Sequence, residues 1–126
     1  MSKKIISTPN APAAIGPYSQ AVLAGDTLYC SGQIAIDPAT GNLLTQDIAT
    51  ETEQVMKNIA AVLAAANMDF THIVKCSIFM SSMDHYAAIN EVYARYFTSN
   101  PPAREAVAVK TLPKEVNVEI SVVAVR

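Results

Sequence analysis

Hydrophobic positions along the chain repeat at a period of about two in some stretches and about 3.6 in others, and the changes of period divide it into strands and helices. Residues 5–7 are expected to form a short edge strand, followed over 8–17 by a loop too rich in Pro and Ala for a regular ladder. Residues 18–23 and 27–31 favour strand, with Gly25-Asp26 between them as a hairpin signal. Gly32 breaks the second run and residues 33–36 resume it. Asp37-Pro38-Ala39-Thr40-Gly41 then reverses the chain, with Pro where a turn wants a fixed φ and Gly where a left-handed residue fits.

From 47 to 66 the apolar residues Ile48, Val55, Ile59, Val62, Leu63 and Ala66 recur at helical spacing, with Thr45 or Asp47 to cap the start and Asn67 to end it. Residues 74–80 read as a strand whose nearly continuous apolar run implies burial on both faces. A second helix starts at Ser82 or Asp84, carries the stripe Tyr86, Ile89, Tyr93 and Tyr96 or Phe97, and cannot pass Asn100 because Pro101 and Pro102 follow. Residues 104–109 and 116–125 form the last two strands, with Leu112-Pro113-Lys114 as the turn between them. The order β-β-β-α-β-α-β-β predicts an α+β domain spanning 1–126, two helices covering one face of a mixed sheet. In the last strand Val116, Val118, Ile120, Val122 and Ala124 make one apolar face, while Val123 and Val125 make the other apolar as well. Two helices cover one face only, so the other calls for a second copy of the chain.

Composition narrows the function. The 126 residues are 51% hydrophobic and 16% charged, which suits one globular domain rather than a disordered or rod-like chain. A net charge of −2 without a basic run gives no surface for a phosphate backbone, so no nucleic-acid partner is expected. No apolar segment follows the N-terminal lysines, and the longest apolar stretch, 59–66, is far too short to cross a bilayer, so the expectation is a cytoplasmic protein with no membrane partner. Cys30 and Cys76 form no C-x-x-C pair and read as buried thiols. His72 and His85 lack metal-ligand spacing, and no G-x-S-x-G, Walker or G-x-G-x-x-G pattern occurs; neither a metal nor any other cofactor is expected.

Five places could carry chemistry. Arg104 starts a strand behind two prolines and shares a face with the small Ala106 and Ala108, leaving a recess where its planar fork could take two oxygens of a carboxylate; the alternative is a strand-end Arg reaching solvent or pairing with an acid. Glu119 stands in the most apolar strand, either as a base or water-positioning group with a raised pKa or as a salt-bridge partner for Arg104 from the adjacent strand. Tyr18 follows Gly16-Pro17 at the end of a rigid loop, and Ser31-Gly32 interrupts a strand where backbone could approach a ligand closely; both also read as ordinary strand-end groups. Asn90 lies one helical turn after Tyr86 and needs a partner unless it is exposed, while Tyr86, Tyr93 and Tyr96 read as packing.

Taken together, Ile15-Gly16-Pro17-Tyr18-Ser19-Gln20-Ala21, Ser31-Gly32-Gln33-Ile34, Asn90, Pro102-Ala103-Arg104 and Val118-Glu119-Ile120 resemble the RidA/YjgF family of reactive-intermediate deaminases along essentially the whole chain. The resemblance implies a chorismate-mutase-like subunit in a homotrimer with a central barrel and ligand sites between subunits. It implies hydrolysis of 2-imino acids or their enamine tautomers, such as 2-iminopropanoate and 2-iminobutanoate released by pyridoxal-phosphate dehydratases, to 2-oxo acids and ammonia. Arg104 would bind the carboxylate and Glu119 would position water. Tyr18, Ser31, Gly32, Asn90 and the backbone at Ala106 would bind substrate, some of them from a neighbouring subunit. Ala106 stands where many relatives have cysteine, and Glu105 where the residue is usually small or uncharged. The competing expectation is a non-catalytic protein that binds or senses small carboxylates such as 2-oxo acids; ribonuclease and chaperone-like activities have also been described for related chains.

Overall fold

A computed structural model describes residues 2–126. Strands β1 (Lys3–Ile6), β2 (Ala21–Ala24), β3 (Thr27–Cys30), β4 (Ile73–Met80), β5 (Ala103–Ala108) and β6 (Val118–Val125) form one mixed sheet in the order β1-β2-β3-β6-β4-β5. Helices α1 (Ile48–Ala65) and α2 (Tyr86–Ala94) complete the α+β pattern read from the sequence. Four of the five strand pairs are antiparallel. Strands β4 and β5 run parallel, as they must when α2 carries the chain from the end of one back to the start of the other. Although β6 ends the chain, it lies between β3 and β4 and so joins the N-terminal hairpins to the βαβ unit.

The period of two decides where the core sits. Along β6, Val118, Ile120, Val122 and Ala124 are buried while Glu119, Ser121, Val123 and Val125 point the other way. Helix α1 packs on the first of these faces, burying Val55, Ile59, Val62 and Leu63 against Leu28, Ile78 and Ile120. The opposite face has no covering element, and Ile5, Tyr29, Val107 and Val125 remain between 39% and 53% exposed on it, enough apolar surface to call for a partner.

Local chemistry sets the ends of the elements. Of the two candidate caps for α1, Asp47 is the one used: its Oδ1 accepts from Thr50 N–H at 2.7 Å. Asn67 ends the helix with φ 58°, and Met68 N–H turns back to the Leu63 carbonyl. Helix α2 stops at Ala94, short of the limit set by the prolines, because Arg95, Tyr96 and Phe97 N–H groups bond three residues back and tighten the last turn. Residues 18–20 do not join β2, since the buried Gln20 side chain bonds the carbonyls of Thr8, Ala11 and Pro12 and ties down the Pro-rich loop. Residues 33–36 are not a continuous strand either. Only Gln33 and Ile36 make isolated bridges, while the carbonyls of Ile34 and Ile36 accept from the buried Asn58 of α1.

Ahead of β6, Lys114 and Glu115 stand consecutively at φ 55° and 56°, a conformation costly for any residue with a Cβ. Replacing Glu115 with Gly is expected to stabilise the fold by about 0.5–1 kcal/mol, the strain relieved less the added chain entropy. A thermal midpoint a few degrees higher would show it; an unchanged or lower midpoint would contradict the account.

Candidate functional site

Arg104 occupies edge strand β5, opposite the buried Cys76 of β4, so its side chain rises on the helix-covered face beside α2. There Nη1 donates to Asn90 Oδ1 at 2.7 Å and Nη2 donates to the Tyr86 hydroxyl at 2.6 Å. The guanidinium carbon also lies 5.6 Å from the Tyr86 ring centre and 5.0 Å from that of Tyr93. Arg104 is half-buried, yet no carboxylate pairs with it among the described residues. A hollow of about 470 Å³ opens here, bounded by Arg104, Asn90, Tyr93, Phe97 and the Pro101-Pro102 pair. The recess beside Arg104 is walled by α2 and the two prolines rather than by the small Ala106 and Ala108 expected to open it, and Asn90 is a partner of Arg104 rather than an exposed amide.

A second, larger cavity of about 560 Å³ gathers Tyr18, Ser31, Gly32 and Glu119, with Ile15 and Ile34 among its apolar lining. Tyr29 pairs with Val123 and Gln33 with Ile120, four residues against three, so Ser31-Gly32 forms a β-bulge against β6. The bulge presses Gly32 onto Glu119: a Cβ there would collide with the carboxylate itself. The expected approach was to a ligand; what Gly32 meets in the structure is an acid of the chain itself. Ser31 Oγ donates to the Ser19 carbonyl at 2.6 Å, which locks the bulge to the loop carrying Tyr18. Glu119 has no protein hydrogen-bond partner among the described residues, and burial pushes its carboxyl above the ordinary value, the raised pKa expected of it.

These two clusters do not meet within one chain. Strand β4 separates β5 from β6, so Arg104 and Glu119 are not on adjacent strands and the salt bridge expected between them is absent. Register also sends them apart: Arg104 pairs with Cys76 and Glu119 with Phe79, three residues further along β4, which places the side chains on opposite faces of the sheet. Ala106 follows Arg104 on its own face, while Glu105 points to the other, where it bonds Ser77 Oγ and pairs with Lys75 at 2.9 Å. Cys30 and Cys76 are buried free thiols as expected, and burial raises Cys30 to about 12.

Two residues missed by the sequence reading shape the larger cavity from behind. Glu51, fully buried in the first turn of α1, accepts from Asn117 N–H at 2.7 Å, Asn117 Nδ2 at 2.9 Å and Val118 N–H at 3.2 Å, which pins the start of β6. Asn58, two turns on, holds the wall formed by Ile34 and Ile36. An acid in the first turn of a helix ordinarily signals a solvated dipole partner, so the pattern gave no sign of Glu51.

A family model described as Endoribonuclease L-PSP matches residues 8–126. The chain belongs to this family, the RidA/YjgF family. It is similar to Protein DfrA of Myxococcus xanthus, 50% identical over 99% of this chain and 97% of that one. It is also similar to a Bos taurus protein named 2-iminobutanoate/2-iminopropanoate deaminase, 48% identical over 98% and 90%. Among solved structures it superposes on YyfA of the Rid protein family from Yersinia pestis with TM-score 0.97 and 48% identity, covering 99% of this chain and all of that one.

In this RidA-family chain no group of three or more His, Cys, Asp or Glu side chains among the described residues could hold a metal ion, and no helix is long and apolar enough to cross a membrane. Glu119 is the acid whose position costs the fold. Its carboxyl is raised in the folded state, so the fold favours the protonated form and loses stability as pH climbs from the ordinary carboxylate pKa through the raised one. Glu119→Gln is therefore expected to raise the thermal midpoint at pH 7 and to lose that advantage below about pH 4. Equal midpoints for variant and parent at both pH values would contradict this.

Proposed function

We propose that this chain hydrolyses short 2-imino acids, or their enamine tautomers, to 2-oxo acids and ammonia at sites completed between copies of itself in a homotrimer. The observation that carries the reading is Arg104: a half-buried guanidinium held by two neutral oxygens, with no acid paired to it among the described residues, keeps its charge available for an external carboxylate. The deaminase name of the 48% identical bovine relative supports the choice of substrate.

In this reading Arg104 and Asn90 of one copy face Tyr18, Ser31, Gly32 and Glu119 of the next, so that the two hollows become one cleft. Arg104 takes the carboxylate in its fork, and the backbone near Ala106 and Gly32 orients the imine nitrogen. The imine carbon is already electrophilic, so orientation and a placed water do most of the work. Glu119 takes a proton from the water as its oxygen bonds to that carbon and passes it to the imine nitrogen, giving a carbinolamine. It then takes the carbinolamine's hydroxyl proton and delivers it to nitrogen as the C–N bond breaks, so that ammonia leaves and a 2-oxo acid remains. The raised carboxyl of Glu119 suits a group that both takes and gives a proton.

The rival reading, a carboxylate-binding protein without turnover, is favoured by one observation: Arg104 and Glu119 do not share a cavity in a single chain. Adding the protein to a threonine dehydratase reaction separates the two, since only an enzyme removes the imine faster than buffer does. Arg104→Ala is expected to lower kcat/KM for imine removal by roughly a hundredfold or more, the scale of two lost charge-assisted hydrogen bonds, with the oligomer intact. The parent's rate should fall on acidification with a midpoint above the ordinary carboxylate range, because protonated Glu119 cannot take a proton from water. An active Arg104→Ala variant, or no acid limb, would defeat the assignment.

A further inference from the structure

Tyr86 reads as packing from sequence, yet among the described residues its hydroxyl is one of two side-chain acceptors on Arg104. Tyr86 and Asn90 stand four residues apart on α2 and so present their oxygens from one helical face. One oxygen takes Nη1 and the other takes Nη2, which fixes the in-plane rotation of the guanidinium. The rings of Tyr86 and Tyr93, at 5.6 and 5.0 Å, restrict its remaining motion. An Arg tethered at one point could swivel about its terminal bonds; two tethers from a rigid helix hold the three unused N–H groups in fixed directions.

The tethering oxygen has a further property. Because it accepts from a cationic donor, the Tyr86 hydroxyl must turn its own proton away from Arg104, and that O–H finds no acceptor among the described residues. It is therefore a free donor beside a free positive charge, a pairing suited to an anion with more than one oxygen.

We infer that Tyr86 is a positioning residue for carboxylate recognition: its hydroxyl holds the Arg104 fork in its binding orientation and leaves its own proton free for the bound anion. This rests on the reading of Arg104 as the carboxylate site. Arg104 grips the carboxylate equally before and during the chemistry, so losing the Tyr86 hydroxyl weakens binding without slowing the bound complex.

The test compares the parent, Tyr86→Phe and Arg104→Met in binding 2-oxobutanoate and the uncharged 2-oxobutanamide by calorimetry, alongside thermal midpoints and dehydratase-coupled kinetics. Phe keeps the ring and its packing. Tyr86→Phe is expected to raise the Kd for the acid roughly five- to tenfold while leaving the weak binding of the amide and the thermal midpoint unchanged. In the coupled reaction KM should rise by the same factor with kcat held. Tyr86→Phe binding the acid like the parent, while Arg104→Met does not bind it, overturns the inference and leaves the carboxylate site standing. A fall in kcat, in midpoint and in binding of both ligands together assigns Tyr86 a structural role and also overturns the inference. If Arg104→Met binds the acid like the parent, the carboxylate site itself fails, and the inference falls with it.

Discussion

The alternation of side chains across a paired strand is the constraint on which everything else depends. Cys76 and Phe79 lie three residues apart on β4 and face opposite ways, and each fixes a partner: Arg104 across one edge, Glu119 across the other. A slip of one residue in either ladder would move an ionisable group to the other side of the sheet. As paired, the cation rises among the aromatic side chains of α2 and the acid sinks into the opposite face against Gly32. Neither neutralises the other, so each remains chemically available, the acid at a cost in stability that no ion pair among the described residues offsets.

The open face of the sheet bears the same logic. Apolar residues on β1, β3, β5 and β6 stand exposed around Glu119 and the Lys75-Glu105 pair, a surface a second copy could cover. In the proposed homotrimer, covering it would bring the acid of one copy toward another chain's surface and so turn two half-sites into a cleft. The buried side chains of α1 serve this arrangement from the far side: Glu51 and Asn58 hold the backbone on either side of the larger cavity, so its shape belongs to the core as much as to the loops.

Local pattern carried the order of elements and the two-sided character of β6, because each is written in adjacent residues. The gaps are equally physical. Consecutive strands usually neighbour one another, so β5 and β6 were expected side by side; β6 instead pairs antiparallel with both β3 and β4, a long-range choice no local period encodes. That single misplacement is why Arg104 and Glu119 were expected to share a compartment. Residues 33–36 kept a strand-like pattern yet lost the ladder, because Asn58, more than twenty positions later, takes their carbonyls. Tyr86 was visible as an aromatic but not as an acceptor, since its role depends on where β5 lies beneath α2.

The claim at the centre is that one active cleft takes its cation from one copy and its acid from another, and mixing inactive variants tests it most directly. Arg104→Ala and Glu119→Ala chains would each be assayed alone, then unfolded together, refolded in equal amounts and assayed again. The account predicts two inactive parents and a mixture with activity at about a quarter of the parental sites, by random assortment around a ring. A mixture that demonstrably co-assembles and stays inactive would contradict it.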